Sequence, residues 1–312
     1  MKIIAVVVNK NWEVEPVLNA LTSSELVDSR LMFPEMLNSP KDGKNKMNTA
    51  RAQFTFKDSN GNVTLCVSIW CIQDLMYYQI KPDSKTQSSS SSEEKYRVLP
   101  PILLAENPDL VIAVGTAGYP SETSYNGSVV IGANFFIHNG NPDNPKSRGE
   151  LNKHPDIGKV LLSNINDSVF DLIDKTFKLL TEPKFIKTVR NPAANAVCIA
   201  SKAYASLGSI NVTDYSQYSW VDHEAVKHYE KSGSKLPLSS IETTHGVIKL
   251  STDKPILFVS AIADRLGHFD DEVNPTQNYI ASFNAGIVLG QLFCSLNDFV
   301  LRGNNFEKPK TP

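Results

Sequence analysis

The stretch from Ile256 to Ala263, ILFVSAIA, is apolar enough to be a covered strand, yet it runs straight into Asp264 and Arg265, followed by Gly267. A carboxyl delivered at the last step of a strand is either the polar edge of a loop or an acid held at the mouth of a pocket. In a pocket, desolvation raises its pKa and suits it to donate a proton. Other runs end in the same way. KIIAVVV is followed by Asn9, Trp12 and Glu13, PDLVIAV by Gly115-Thr116-Ala117-Gly118, NAVCIASKAYA contains Ser201 and Tyr204, and SSIETTHG carries Glu242. Each also has a purely structural reading. Glu13 can favour the N-terminus of the first helix through its dipole. GTAG is not GxGxxG and leads into YPSE, a poor helix start, so alone it reads as a tight turn. Glu242 can be a solvated acid and Tyr204 a core or rim aromatic.

Whether these groups meet depends on the elements that carry them. KIIAVVV is a β-branched run suited to a strand covered on both faces, and EVEPVLNAL after it is helical. NVTLCVSIWCI follows the turn signal DSNGN. PDLVIAV, GSVVIGANFFI after the turn pair Asn126-Gly127, NAVCIASKAYA and PILFVSAIA are further strands, with helical periodicity over residues 159–181. Asn274 before Pro275 suits an N-cap with proline at the first helical position, and the apolar spacing then continues to Gly303, a stop signal. Strands alternating with helices predict an α/β fold, a three-layer α/β/α domain around a mostly parallel sheet, and residues 1–312 read as a single domain. In such sheets ligands gather at the carboxyl ends of strands. The three carboxylates, the aromatic and the glycine turn then converge. Two polar stretches interrupt the pattern: a serine-rich segment at about 81–95, read as a mobile insertion loop, and an Asn/Pro/Gly-rich loop at about 139–158.

Composition narrows the function. Of 312 residues, 41% are hydrophobic and 21% charged, with a formal net charge of −2. That balance offers nothing to attract nucleic acid or a membrane surface. No apolar stretch reads as long enough to cross a bilayer, and the first residues read as a strand and not a signal peptide, so a soluble cytoplasmic protein is expected. Cys66, Cys71, Cys198 and Cys294 lie in apolar runs without a CxxC motif, as buried thiols would. His223 and His228 are off register for one helix face, and no HxxxH or HxH pair occurs, so no metal site is expected. GHFDDEVNP lacks the alternating ligands of a calcium loop, and there is no GxSxG elbow.

The order of the pieces is more specific than any one of them. PDLVIAVGTAG, NGSVVIGANFFIHNG, CIASKAYA, IETTHG and SAIADR, then a C-terminal helix, resemble the nucleoside phosphorylase and nucleosidase superfamily. The nearest branch in pattern is the methylthioadenosine/S-adenosylhomocysteine nucleosidases. The resemblance spans about residues 1–303, carried mainly by PDLVIAVGTAG and the spaced IETT and SAIAD segments. It implies that Gly115, Thr116, Ala117 and Gly118 line base and ribose, with Ser201 and Ile241 beside them, and that Tyr204 stacks on the base. It implies that Glu242 holds the ribose hydroxyls, Asp264 protonates the leaving purine at N7, and Glu13 activates water, with Glu15 close enough to leave that register open. No cofactor is implied. The partner is a small nucleoside or purine base, and the chain is expected to be a homodimer or higher homo-oligomer, with Trp70, Leu75, Met76, Tyr77 and Tyr78 read equally as contact surface or core.

The chemistry is coherent with those roles. Cleaving an N-glycosidic bond leaves an oxocarbenium-like sugar and an electron-rich base, so a carboxylic acid relieves the leaving group while a second carboxylate aligns water on the other face. Two departures stand out: Ala263 precedes Asp264 where the family has serine, and Ser240 stands where the nucleosidases carry another acid. LCVSIW runs into CIQDLM without the glycine or arginine of a phosphate cradle, which favours hydrolysis. The rivals are a phosphorylase drawing its arginine from Arg148 or Arg190, and a nucleoside-binding or storage protein without turnover.

Overall fold

The computed structural model describes residues 1–23, 50–79, 92–121, 125–132, 134–137, 150–151, 205–208, 238–242 and 244–306, with a few single positions between 223 and 231. Ten described strands form one mixed sheet flanked by helices. β1 (Lys2–Val8) leads into α1 (Asn11–Ser23), and the hairpin β2 (Ala52–Lys57) and β3 (Val63–Cys71) into α2 (Ile72–Gln79) and α3 (Ser92–Glu106). Then come β4 (Leu110–Tyr119), β5 (Val129–Gly132), β6 (Asn134–Ile137), β7 (Glu150–Leu151), β8 (Ala205–Gly208) and β9 (Leu238–Ile241). The chain finishes with α4 (His245–Leu250), β10 (Ile256–Arg265), α5 (Phe269–Glu272) and α6 (Pro275–Leu301). The order across the sheet is β2-β3-β1-β4-β9-β8-β6-β7, with β10 paired to β4 and β5. β1 with β3, β1 with β4 and β10 with β4 are parallel, while β2, β5 and β7 pair antiparallel.

Alternation along the strands builds the three layers. On β1, Ile4, Val6 and Val8 face α1 and α6, where they join Val14, Val17, Leu289 and Phe293. Ala5 and Val7 face the other way, among Leu75 of α2, Val98 and Leu99 of α3 and Val247 of α4. Such a strand has no polar face to expose, which is why IIAVVV, after Lys2, is apolar at every step. The predicted caps are present. The Asn274 side chain accepts a hydrogen bond from Gln277 N at 2.9 Å, Pro275 follows, and Gly303 after the helix adopts φ 79°. Gly127 of the predicted turn pair has φ 87°.

Several expectations need correction. Residues 92–95 are not loop: α3 begins at Ser92 and packs its side chains into the core. The long polar stretch at 139–158 contains β7, which extends the sheet from β6. GSVVIGANFFI is two strands, and PDLVIAV continues without a break through GTAGY, so the glycine turn is strand. β2, whose residues alternate between buried and more exposed, is a further strand. α6 is by length and composition apolar enough to cross a bilayer, contrary to expectation, but most of its apolar window is buried inside the protein, against α1 and the sheet. Trp70 and Leu75 belong to the core and offer no contact surface. Cys71 is buried, its thiol pushed up to about 12 chiefly by desolvation, and Cys66 and Cys294 are half-buried. The helical stretch 159–181, Cys198, Arg148, Arg190 and the side chains of Tyr77 and Tyr78 lie outside the described residues.

Candidate functional site

The site forms where β4 changes neighbours. Residues 110–114 of β4 pair with β1, and Gly118 pairs with Ile241 of β9. Between these two contacts the edge of β4 is served by a side chain. Glu13 Oε1 accepts hydrogen bonds from Thr116 N at 2.8 Å and from Thr116 Oγ1 at 2.9 Å. A carboxylate thus replaces the strand carbonyl that a ladder would supply. Glu13 reaches this position from the first turn of α1, where its Oε2 accepts from Lys10 N at 2.8 Å, the return half of a capping box. Glu13 thus caps α1 and at the same time reaches the edge of β4. Glu13 is buried, and desolvation raises its pKa against the opposing hydrogen bonds from Thr116 and Lys10. Glu15 is exposed.

On its other edge β4 runs parallel to β10, and there the register slips. Ile262 pairs with Ala117, but Gly118 pairs with Asp264, leaving Ala263 as the extra residue of a bulge. A bulge re-aims the side chains beyond it. Asp264 is buried, and its Oδ2 lies 3.2 Å from where a Cβ on Gly118 would stand. Glycine at 118 leaves that space to the carboxyl.

Glu242 lies one residue beyond the Ile241 that pairs with Gly118. Its Oε2 accepts from Thr244 N at 2.6 Å, and its Oε1 accepts from His245 N, so both oxygens cap the start of α4. Burial raises its pKa, opposed by those two hydrogen bonds and by the positive charge of Lys95. Lys95 comes from α3. It is buried, and its Nζ donates to Thr244 Oγ1 at 2.9 Å. Desolvation and the neighbouring Lys10 charge lower its pKa, while Glu242 and Glu13 act the other way. His245 is fully buried and stacks on Phe258, with ring centroids 5.8 Å apart. Desolvation pushes its pKa down to about 3, so the ring is neutral at physiological pH. Its Nδ1 lies 3.5 Å from both Ser260 Oγ and Glu242 Oε1. Among the described residues its Nε2 is buried without a hydrogen-bond partner, 3.7 Å from where a Cβ on Gly115 would stand; Glu13 Oε1 is 3.4 Å from the same point.

The structure thus brings Glu13, Thr116, Ala117, Gly118, Ile241, Glu242 and Asp264 together around the carboxyl end of β4. Ser201 and Tyr204 lie outside the described residues. Ser240, one of the two departures noted above, is buried and accepts from Ser260 Oγ at 3.0 Å, so the position holds a hydroxyl pair. Lys95, Thr244 and His245 were not anticipated. For Lys95 a signal existed: Val98, Leu99, Ile102 and Leu103 follow it at helical spacings of 3, 4, 7 and 8 residues, which puts Lys95 on the buried stripe of α3. Among the described residues no group of acids, histidines and cysteines is arranged to hold a metal ion.

This architecture is shared with nucleosidases. A methylthioadenosine/S-adenosylhomocysteine (MTA/SAH) nucleosidase structure superposes with a TM-score of 0.52 at 16% identity, covering 98% of each chain. The 5′-methylthioadenosine nucleosidase of Arabidopsis thaliana in apo form does so with a TM-score of 0.52 at 11% identity, again over 98% of each chain. The chain has the nucleoside phosphorylase/nucleosidase fold. No protein-family model matches the sequence, and no curated protein does.

Proposed function

We propose that the protein is a purine nucleosidase that hydrolyses the N-glycosidic bond of a ribonucleoside or 5′-thio-nucleoside. One observation carries the reading: three buried carboxylates, Glu13, Glu242 and Asp264, surround the end of a single strand, and among the described residues Glu13 and Glu242 keep different hydrogen-bonding capacity. An ionised carboxylate offers about four acceptor directions. Glu13 already accepts three hydrogen bonds and keeps one direction, on Oε2, enough for a single water. Glu242 accepts one on each oxygen and keeps one on each, which suits two neighbouring hydroxyls of a ribose. Asp264, buried at the bulge, is the acid left to protonate the purine as it departs. In this reading Asp264 gives its proton to the base nitrogen, the glycosidic electrons go with the base, and water aligned by Glu13 adds to the sugar carbon as it passes a proton to the Glu13 carboxylate.

Hydrolysis is favoured over phosphorolysis because Arg51, whose backbone N–H donates to Ile69 O of β3, is committed. It donates to both Asp74 oxygens at 2.8 Å and to Asn11 Oδ1 at 2.7 Å. The paired hydroxyls of Ser240 and Ser260 motivate the third reading, a nucleoside-binding protein without turnover. Likeness in fold to proteins described as MTA/SAH and 5′-methylthioadenosine nucleosidases supports adenine nucleosides as first substrates. The test is incubation with methylthioadenosine, adenosine and inosine, with and without phosphate, while following release of free base. Release independent of phosphate is expected. Strict phosphate dependence would make the protein a phosphorylase, and stabilisation by adenine with no turnover would make it a binding protein. We also propose a homo-oligomer, for which a monomeric mass in sedimentation at micromolar protein would be the contrary result.

A further inference from the structure

The geometry points to Lys95 as a positioning residue for the sugar half of the site: through Thr244 it holds Glu242 as the carboxylate that accepts ribose hydroxyls. The inference rests on the nucleoside reading above and concerns which protonation state of Glu242 binds. Lys95 is an ammonium taken out of water, 4% exposed, on a helix otherwise packed by Val98, Leu99, Ile102 and Leu103. A buried cation without a partner carries a large penalty, so its position needs a counter-charge nearby. The chain of contacts supplies one. Lys95 Nζ donates to Thr244 Oγ1 at 2.9 Å, and Thr244 N donates to Glu242 Oε2 at 2.6 Å.

Other charged groups around Glu242 are accounted for. Glu13, from α1, is negative and opposes its ionisation. Lys10, before α1, acts on Lys95 and on Glu13. His245 on α4 is neutral and contributes a backbone N–H. Asp264 of β10 lies beyond Gly118. Burial works to protonate Glu242, and a protonated carboxyl would turn one acceptor oxygen into a donor and lose the charge-assisted bonds to hydroxyls. Lys95 works against that.

Lys95→Met keeps the length and apolar stem of the side chain and removes the charge. Initial rates with methylthioadenosine across neutral and mildly acid pH, together with inhibition by free adenine, separate the possibilities. The acidic limb of kcat/KM is expected to move up by about one pH unit, which raises KM roughly tenfold on that limb. Because adenine has no ribose, its inhibition should not change, and Lys95→Arg should recover most of the loss. An unchanged acidic limb in Lys95→Met would overturn the inference, as would adenine inhibition weakening in parallel, which would mean that Lys95 only maintains the pocket. If the unmodified protein neither cleaves nor binds any nucleoside, the nucleoside reading itself is what fails.

Discussion

Glu13 and Glu15 are two residues apart and chemically alike, and only their environments separate them. Glu13 is buried on Thr116, and Glu15 is exposed. Glu13→Gln should lower kcat by on the order of 10²-fold, because an amide cannot take a proton from water, whereas Glu15→Gln should leave kcat unchanged. Asp264→Asn should likewise remove most turnover while keeping adenine affinity, since the amide preserves shape in the space above Gly118. Steady-state kinetics of the three variants with methylthioadenosine, beside adenine inhibition, check the set. Parent-rate turnover by Asp264→Asn would return that carboxyl to a loop-edge role.

The acids are placed by contacts between elements, and one close contact lies between α1 and α6. A Cβ on Gly286 of α6 would stand 2.6 Å from the Val17 carbonyl oxygen, 2.7 Å from Ala20 Cβ and 2.9 Å from Val17 Cα. These are backbone and short side-chain atoms that cannot swing aside. Gly286→Ala should therefore force the helices apart and destabilise the protein by about 1–3 kcal/mol, measurable as a lower denaturant midpoint at unchanged slope. Because α1 carries Glu13 in its first turn, the variant should also lose activity at temperatures where it remains folded. Gly61→Ala offers a contrast: its added Cβ meets nothing within 4 Å, although φ 80° strains an alanine there. Its cost should be local to the β2–β3 hairpin and silent in kcat.

Across the molecule, buried ionisable groups link the site to pH stability, and the signs differ. Glu13 and Glu242 have raised folded pKa values, so the stability they contribute is present at low pH and lost as pH rises past about 4.5, their unfolded value. His245 is the reverse case. Its folded pKa of about 3 lies below the unfolded 6.5, so its contribution is complete above 6.5 and is lost as pH falls toward 3, at about 1.4 kcal/mol per pH unit. His245→Asn removes that titration. Between about pH 7.5 and pH 5.5 the parent should lose about 1.4 kcal/mol more stability than the variant, whatever their absolute difference. Equal losses in thermal or denaturant unfolding would show that His245 is not buried and neutral as described.

How much of this could be read from residues alone follows from what is local. β-branched continuity marked β1, β4 and β10 as covered strands, and Asn274-Pro275 and Gly303 marked the ends of α6, because caps and periodicity act within a few residues of chain. The order of strand ends alone points to Glu13, Glu242 and Asp264. α3 was harder, because Pro100 and Pro101 lie inside it and its first turn is the tail of a serine-rich run, so local propensity argues against the helix that packing imposes. That hid Lys95. The bulge at Ala263 and the handover along β4, from β1 to Glu13 to β9, are properties of strands meeting across more than 100 residues of sequence. Residue types and their order determined that acids would stand at strand ends. Only the tertiary structure decided how many hydrogen bonds Glu13 and Glu242 already make, which cation sits behind Glu242, and how far each acid is removed from water, because desolvation and hydrogen-bond capacity are set by neighbours distant in the chain.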